Sequence, residues 1–180
     1  MTEPNRLAKI AIENGGVIAY PTEAVFGLGC DPNNQKAVEK ILALKQRPVA
    51  KGLIVVAATI EQVLPWLDTE KFDISELPVN WPQATTYLLP ANSSVPKWLT
   101  GEHDKIAIRL TQFPWLKSFC QQLGALVSTS ANVAGKPSLK TADAVKQQFG
   151  EQVDVIIDMP CQGLKQPSSI VDWVSGENIR

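Results

Sequence analysis

Helical and extended patterns alternate along the whole chain, and no other feature limits the folds open to it so strongly. Leu7, Ile10 and Ala11 stand at helical spacing, with Gly15-Gly16 as a stop. The stretch VIAYPTEAVFGLG is extended and interrupted at Pro21. NNQKAVEKILALK is amphipathic through Val38, Ile41, Leu42 and the stem of Lys45, with Asp and Asn ahead of it as caps. GLIVVAA reads as a buried strand, and Thr59 with Gln62 as a capping box for a short helix ending near Pro65. A strand follows near Thr85 to Leu89, on ground made irregular by Pro82, Pro90 and Pro96. KIAIRLT alternates, so Lys105, Ala107 and Arg109 share the more polar face, opposite Ile106 and Ile108. Pro114 opens a helix turned inward by Leu116, Phe119, Cys120 and Leu123 and closed by Gly124. ALVS is a strand, Thr141 caps a helix through Val145 and Phe149, and VDVIID and SSIVDW complete the series as strands. The reading is one α/β domain over residues 1–180, a twisted mixed sheet with flanking helices.

Composition narrows the function classes. Hydrophobic residues make up 44% and charged residues 19%, a globular balance. Seventeen Lys+Arg against eighteen Asp+Glu exclude a histone-like polycation while leaving room for a local basic patch. Cys30, Cys120 and Cys161 are odd in number and widely spaced, so neither a zinc knuckle nor a disulfide framework is expected. A lone His103 argues against a Ser-His-Asp triad or a histidine metal site. The amino-terminal segment lacks a signal-type apolar run, and Leu53 to Ala58, the longest apolar run, is too short for a bilayer. These features predict a cytoplasmic protein with reduced thiols and no membrane partner.

Four polar clusters lie on or beside the predicted strands. Thr22 and Glu23 follow Pro21 in an otherwise apolar stretch, either as a simple turn or as ligand contacts, and Gly27 and Gly29 allow a close approach or a bulge. Lys45, Arg47 and Lys51 crowd LKQRPVAKG, which suits a polyphosphate and equally suits a solvated helix end. Arg109 is either a solvated strand arginine or a carboxylate clamp. Ser128, Ser130, Asn132 and Ser138 offer uncharged contacts to phosphate or ribose oxygens, or are ordinary loop residues.

Taken in order, YPTEAVFGLGCD, KQRP, IAIRLT, STSAN with Gly135, and PSSIVD resemble the YrdC-like (TsaC) threonylcarbamoyl-AMP synthases over almost the whole chain, in the short single-domain form. The resemblance implies an α/β fold with a large, positively lined cavity. It also implies a nucleotidyltransfer in which L-threonine, bicarbonate or CO2, and ATP give threonylcarbamoyl-adenylate and diphosphate. That product would pass to the machinery that modifies the adenosine beside the anticodon in tRNAs reading codons that begin with A. The Lys-x-Arg and Ser-x-Asn signature falls on Lys45, Arg47, Ser130 and Asn132, which would hold ATP, with Lys45 and Arg47 neutralising the charge that repels the attacking carbamate. Ser138 and Ser168 match further ATP contacts, and Lys51 a contact position of variable type. Thr22, Arg109 and Ser128 match positions lining the threonine pocket.

Mg2+ would arrive with ATP, and no tightly bound cofactor or dedicated metal ligand is expected. A general base is not identifiable from the sequence. Weak RNA binding is an open partner class, and a non-catalytic RNA-binding module using the same cations is the competing reading; the even charge balance and lack of an RRM or KH signature weigh against it. One departure stands out. Many relatives read Trp-Pro-Gly-Pro-x-Thr where this chain has Trp81-Pro82-Gln83-Ala84-Thr85-Thr86, so a turn that keeps the Gly-Pro shape would require of Gln83 a conformation that glycine reaches more freely, and the loop geometry is left open.

Overall fold

The computed structural model describes residues 3–180. By contacts the chain divides into two compact units, one running through Pro48 and resuming over Leu126–Pro167, the other comprising Val49–Ala125 and Ser168–Arg180.

In the first unit α1 (Glu3–Glu13) leads into a hairpin of β1 (Ile18–Pro21) and β2 (Phe26–Gly29). α2 (Gln35–Lys45) follows, and later β6 (Leu126–Ser130), α5 (Ala142–Phe149) and β7 (Val155–Ile156). The strand order is β7-β1-β2-β6, with β1 antiparallel to β2 and parallel to β7, and β2 antiparallel to β6. Helices α1 and α5 cover β1 and β7. The core takes Ala8 and Ile12 from α1, while Leu7 and Ile10 stay exposed, so the buried stripe lies one position round the helix from Leu7 and Ala11. Asn34 caps α2, its Oδ1 accepting from the Ala37 amide at 3.1 Å, and Thr141 caps α5 through the Ala144 amide at 3.2 Å. β7 is much shorter than the six-residue strand the sequence suggested.

The second unit orders its strands β3 (Ile54–Ala57), β5 (Lys105–Leu110), β4 (Thr85–Pro90) and β8 (Ser169–Asp172). β3 runs parallel to β5, β5 antiparallel to β4, and β4 parallel to β8, so this unit too is mixed α/β. α4 (Pro114–Leu123) packs on β3 and the short α3 (Lys97–Thr100) on β5. The inward face of α4 is Leu116, Phe119 and Cys120, with Leu123 only half-buried. Thr59 does not close a capping box: its side chain makes no cap bond, and two 3-10 turns over Ile60–Gln62 and Leu64–Trp66 replace the expected helix. Gln62 instead accepts from the Ala58 amide (2.8 Å) and donates to Cys120 O (2.7 Å), tying the turn to α4.

Candidate active site

Seven of the ten predicted site residues lie in the first unit: Thr22, Lys45, Arg47, Ser128, Ser130, Asn132 and Ser138. Thr22 opens the four-residue turn between β1 and β2. Its hydroxyl and amide both donate to Val25 O, at 2.7 and 3.0 Å, which is the self-bonded turn geometry. With its proton engaged there, the buried Thr22 oxygen retains accepting capacity. The β1–β2 register is continuous through Gly27 and Gly29, so neither glycine makes a bulge. At Gly29 a Cβ would come within 2.6 Å of the Tyr20 ring and 2.7 Å of Val127 O, so the close approach this glycine allows is made by the protein's own packing. Gly27 pairs with Ser130 on β6, and a Cβ there would lie 3.3 Å from the Thr22 methyl, which brings Thr22 and the Ser-x-Asn segment to the two sides of one glycine. Residues 162–164 lie on the Thr22 turn, the Gln162 and Leu164 amides donating to Thr22 O and Glu23 O.

The end of α2 places the cations. The Gln46 amide donates to Ala43 O and the Arg47 amide to Leu42 O at 2.9 Å, a Schellman closure with Gln46 in the left-handed region at φ 50. Lys45 turns inward and is only 4% exposed, which replaces the solvated-helix-end reading for this residue. Its ammonium donates to Ser130 O, to Asn132 O at 3.0 Å and to Asn132 Oδ1 at 3.3 Å, using its three protons. Ser130 Oγ donates to the same Oδ1 at 2.6 Å, and Asn132 Nδ2 donates to Val133 O and Lys136 O. The Ala134 amide returns to Lys45 O at 2.8 Å. A lysine and a serine 85 positions apart thus share one network that shapes the loop after β6. Burial first, and the neighbouring Arg47 charge second, push Lys45 down to about 8. Arg47 is half-exposed at the rim, Ser128 is buried on β6, and Ser138 is half-exposed in the following loop.

The second unit holds Lys51, Arg109 and Ser168. Lys51 is exposed on a 3-10 turn, Val49–Lys51. Arg109 is 6% exposed, buried rather than solvated, although the strand alternation places Ile106 and Ile108 inside as expected. Ser168 is buried, with Oγ 3.1 Å from Thr86 Oγ1. Its carbonyl accepts from Arg180 Nη2 and Nε at 2.9 and 3.2 Å. The sequence reading passed over Arg180. Burial and the Arg109 charge both lower its pKa, so two guanidiniums stand within electrostatic reach of one another in this unit. Its only sequence signal was a cation past a strand, a common surface pattern.

The turn after Trp81 does not keep the Gly-Pro shape. Gln83 avoids the left-handed region and Ala84 takes it, at φ 51, where the family pattern has proline. The Thr85 amide donates to Pro82 O (3.3 Å), Trp81 Nε1 donates to Thr85 O (2.9 Å), and the Ser169 amide to Ala84 O (3.0 Å). Proline cannot reach a positive φ, so this turn has its own shape rather than a strained copy of the Gly-Pro turn.

Among the described residues no group of three His, Cys, Asp or Glu side chains stands together as a metal centre, and no helix is long and apolar enough to cross a membrane. Residues 10–180 match the Sua5/YciO/YrdC family model, described as "Telomere recombination". The chain is 47% identical over 173 residues to a threonylcarbamoyl-AMP synthase of Pseudoalteromonas translucida, covering 94% of this chain and 92% of that one. It is 48% identical over 177 residues to one of Pseudomonas aeruginosa, with the same coverages. The solved structure of P. abyssi Sua5 complexed with L-threonine superposes with a TM-score of 0.82 at 28% identity, over 97% of this chain and 53% of that one. With its motifs in order and its family matched over nearly its full length, the chain belongs to the Sua5/YciO/YrdC family.

Proposed function

We propose that this chain is a threonylcarbamoyl-AMP synthase, a nucleotidyltransferase acting on L-threonine, bicarbonate or CO2, and ATP. The neutral threonine amine adds to CO2 and loses a proton, giving a carbamate. A carbamate oxygen then bonds to the α-phosphorus of ATP as the α–β bridging bond breaks, leaving threonylcarbamoyl-adenylate and diphosphate. No side chain need become a covalent nucleophile, so positioning and electrostatics carry the catalysis.

The observation that carries this reading is the closed Lys45–Ser130–Asn132 network with Arg47 at its rim, in a chain sharing nearly half its residues with synthases of that name. In this reading Lys45, Arg47, Lys51, Ser130, Asn132, Ser138 and Ser168 form the nucleotide set. Lys45 contributes its charge and the shape of the loop, and the half-exposed Arg47 a two-pronged phosphate contact. Thr22, Ser128 and Arg109 form the threonine set: the Thr22 oxygen accepts from the substrate, and Arg109 grips its carboxylate. Magnesium enters as part of the substrate, MgATP. The product goes on to a tRNA-modifying transferase, which makes the cytoplasm the natural compartment. Incubation with ATP, bicarbonate and isotopically labelled threonine, with mass detection of the labelled adenylate, tests the reading. Diphosphate release that does not depend on threonine, or none at all, refutes it.

A further inference from the structure

Lys51 owes its place to a contact between two stretches of bare backbone. The turn Val49–Lys51 ends at Gly52, whose amide closes it on Val49 O at 3.0 Å. Beyond α3 the chain passes Gly101, and two hydrogen bonds lock the segments together: Leu53 amide to Leu99 O (2.8 Å) and Glu102 amide to Ala50 O (3.1 Å). Both glycines have positive φ, 60 and 65. A Cβ on Gly52 would meet Leu99 O at 2.8 Å and Thr100 O at 2.9 Å. One on Gly101 would collide with Ala50 O and lie 2.6 Å from both Ala50 C and Gly52 N. Those neighbours are backbone atoms of the very turn that carries Lys51, so a side chain can be admitted only by moving that turn.

We infer that Gly101 is a positioning residue for the nucleotide: by lacking a side chain it lets the Val49–Lys51 turn seat on the end of α3 and so sets where the Lys51 ammonium stands. The inference rests on the reading that Lys51 contacts ATP. A shift of an ångström or so in a charge that serves as an anion contact lowers affinity without altering any atom that meets the ligand.

The test compares four full-length variants by steady-state kinetics: Gly101→Ala, Lys51→Met, their double mutant, and Gly124→Ala. Gly124 has φ 94 and nothing within 4 Å of a Cβ, so its substitution reproduces the backbone strain without the collision. The expected result is a rise of about tenfold in KM for ATP in Gly101→Ala and in Lys51→Met, the size of one charge-assisted contact. KM for threonine stays level, the double mutant shows no further rise, and Gly124→Ala keeps wild-type KM values. If Lys51→Met leaves KM for ATP unchanged, the contact reading falls and takes the inference with it. If Lys51→Met raises it while Gly101→Ala behaves like Gly124→Ala, or the two effects multiply, or threonine and ATP weaken together, the inference alone falls. Should Gly101→Ala not fold, Gly52→Ala, with its milder 2.8 Å approach, is read by the same criteria.

Discussion

Raising the pH from 7 to 9 should release ATP by a route the fold itself predicts. Lys45 is 4% exposed, and burial with the adjacent Arg47 charge lowers its pKa to about 8. If the nucleotide requires the ammonium form, roughly nine-tenths of the protein is competent at pH 7 and one-tenth at pH 9, a loss of roughly tenfold in affinity. The same proton acts on stability in the opposite direction. The folded pKa lies below that of the unfolded chain, so between about pH 8 and 10.5 the unfolded state binds more protons and stability rises with pH, by up to roughly 3 kcal/mol. Weaker binding in this window therefore accompanies relief of a folding cost at Lys45, which separates the effect from alkaline unfolding. Calorimetric titration with a non-hydrolysable ATP analogue at constant ionic strength from pH 7 to 9, paired with denaturant melts, measures both. In Lys45→Arg the guanidinium keeps its proton, and the slope should vanish whatever the absolute affinity. A flat wild-type profile, or an equal fall in Lys45→Arg, refutes the assignment of this proton to Lys45.

Further outcomes follow at three residues. Arg109→Lys keeps the charge and loses the two-pronged donor, so KM for threonine should rise about tenfold or more while ATP affinity changes much less; separate titrations of the two substrates decide it. Ala84→Gly relieves a left-handed alanine costing about 1–2 kcal/mol against about 0.5–1 kcal/mol of added chain entropy, so denaturant melts should show a net gain of up to about 1.5 kcal/mol. Ala84→Pro, which restores the family residue, should cost more than about 1 kcal/mol in the same melts. Asn34→Ala removes the cap of α2 and should cost about 1 kcal/mol of stability, and because α2 ends at Lys45 the loss should come with a measurable rise in KM for ATP.

The element series was readable because its signals are local. Period-two alternation put Ile106 and Ile108 inside, and caps such as Asn34 and Thr141 act within three residues of themselves. The candidate residues were readable by resemblance, their order along the chain being a one-dimensional property. What surrounds each of them depends on partners distant in sequence, and there the one-dimensional reading stopped. A helix-end lysine looks the same in sequence whether it is solvated or, like Lys45, spends its protons on a loop 85 positions away. Alternation assigned Arg109 to the polar face but is silent on which of its residues meet water: Arg109 is buried, while Lys105 and Ala107 on the same face are half-exposed. The Thr59–Gln62 pattern fitted a cap, but Thr59 makes no cap bond, and the Gln62 oxygen accepts from the Ala58 amide while its nitrogen reaches Cys120 O on α4. The left-handed residue in the turn after Trp81 moved from Gln83 to Ala84, within a turn tied to Trp81 and Ser169. Local propensity is written residue by residue, whereas burial, hydrogen-bond choice and the seat of a charge belong to pairs of segments that only folding brings together.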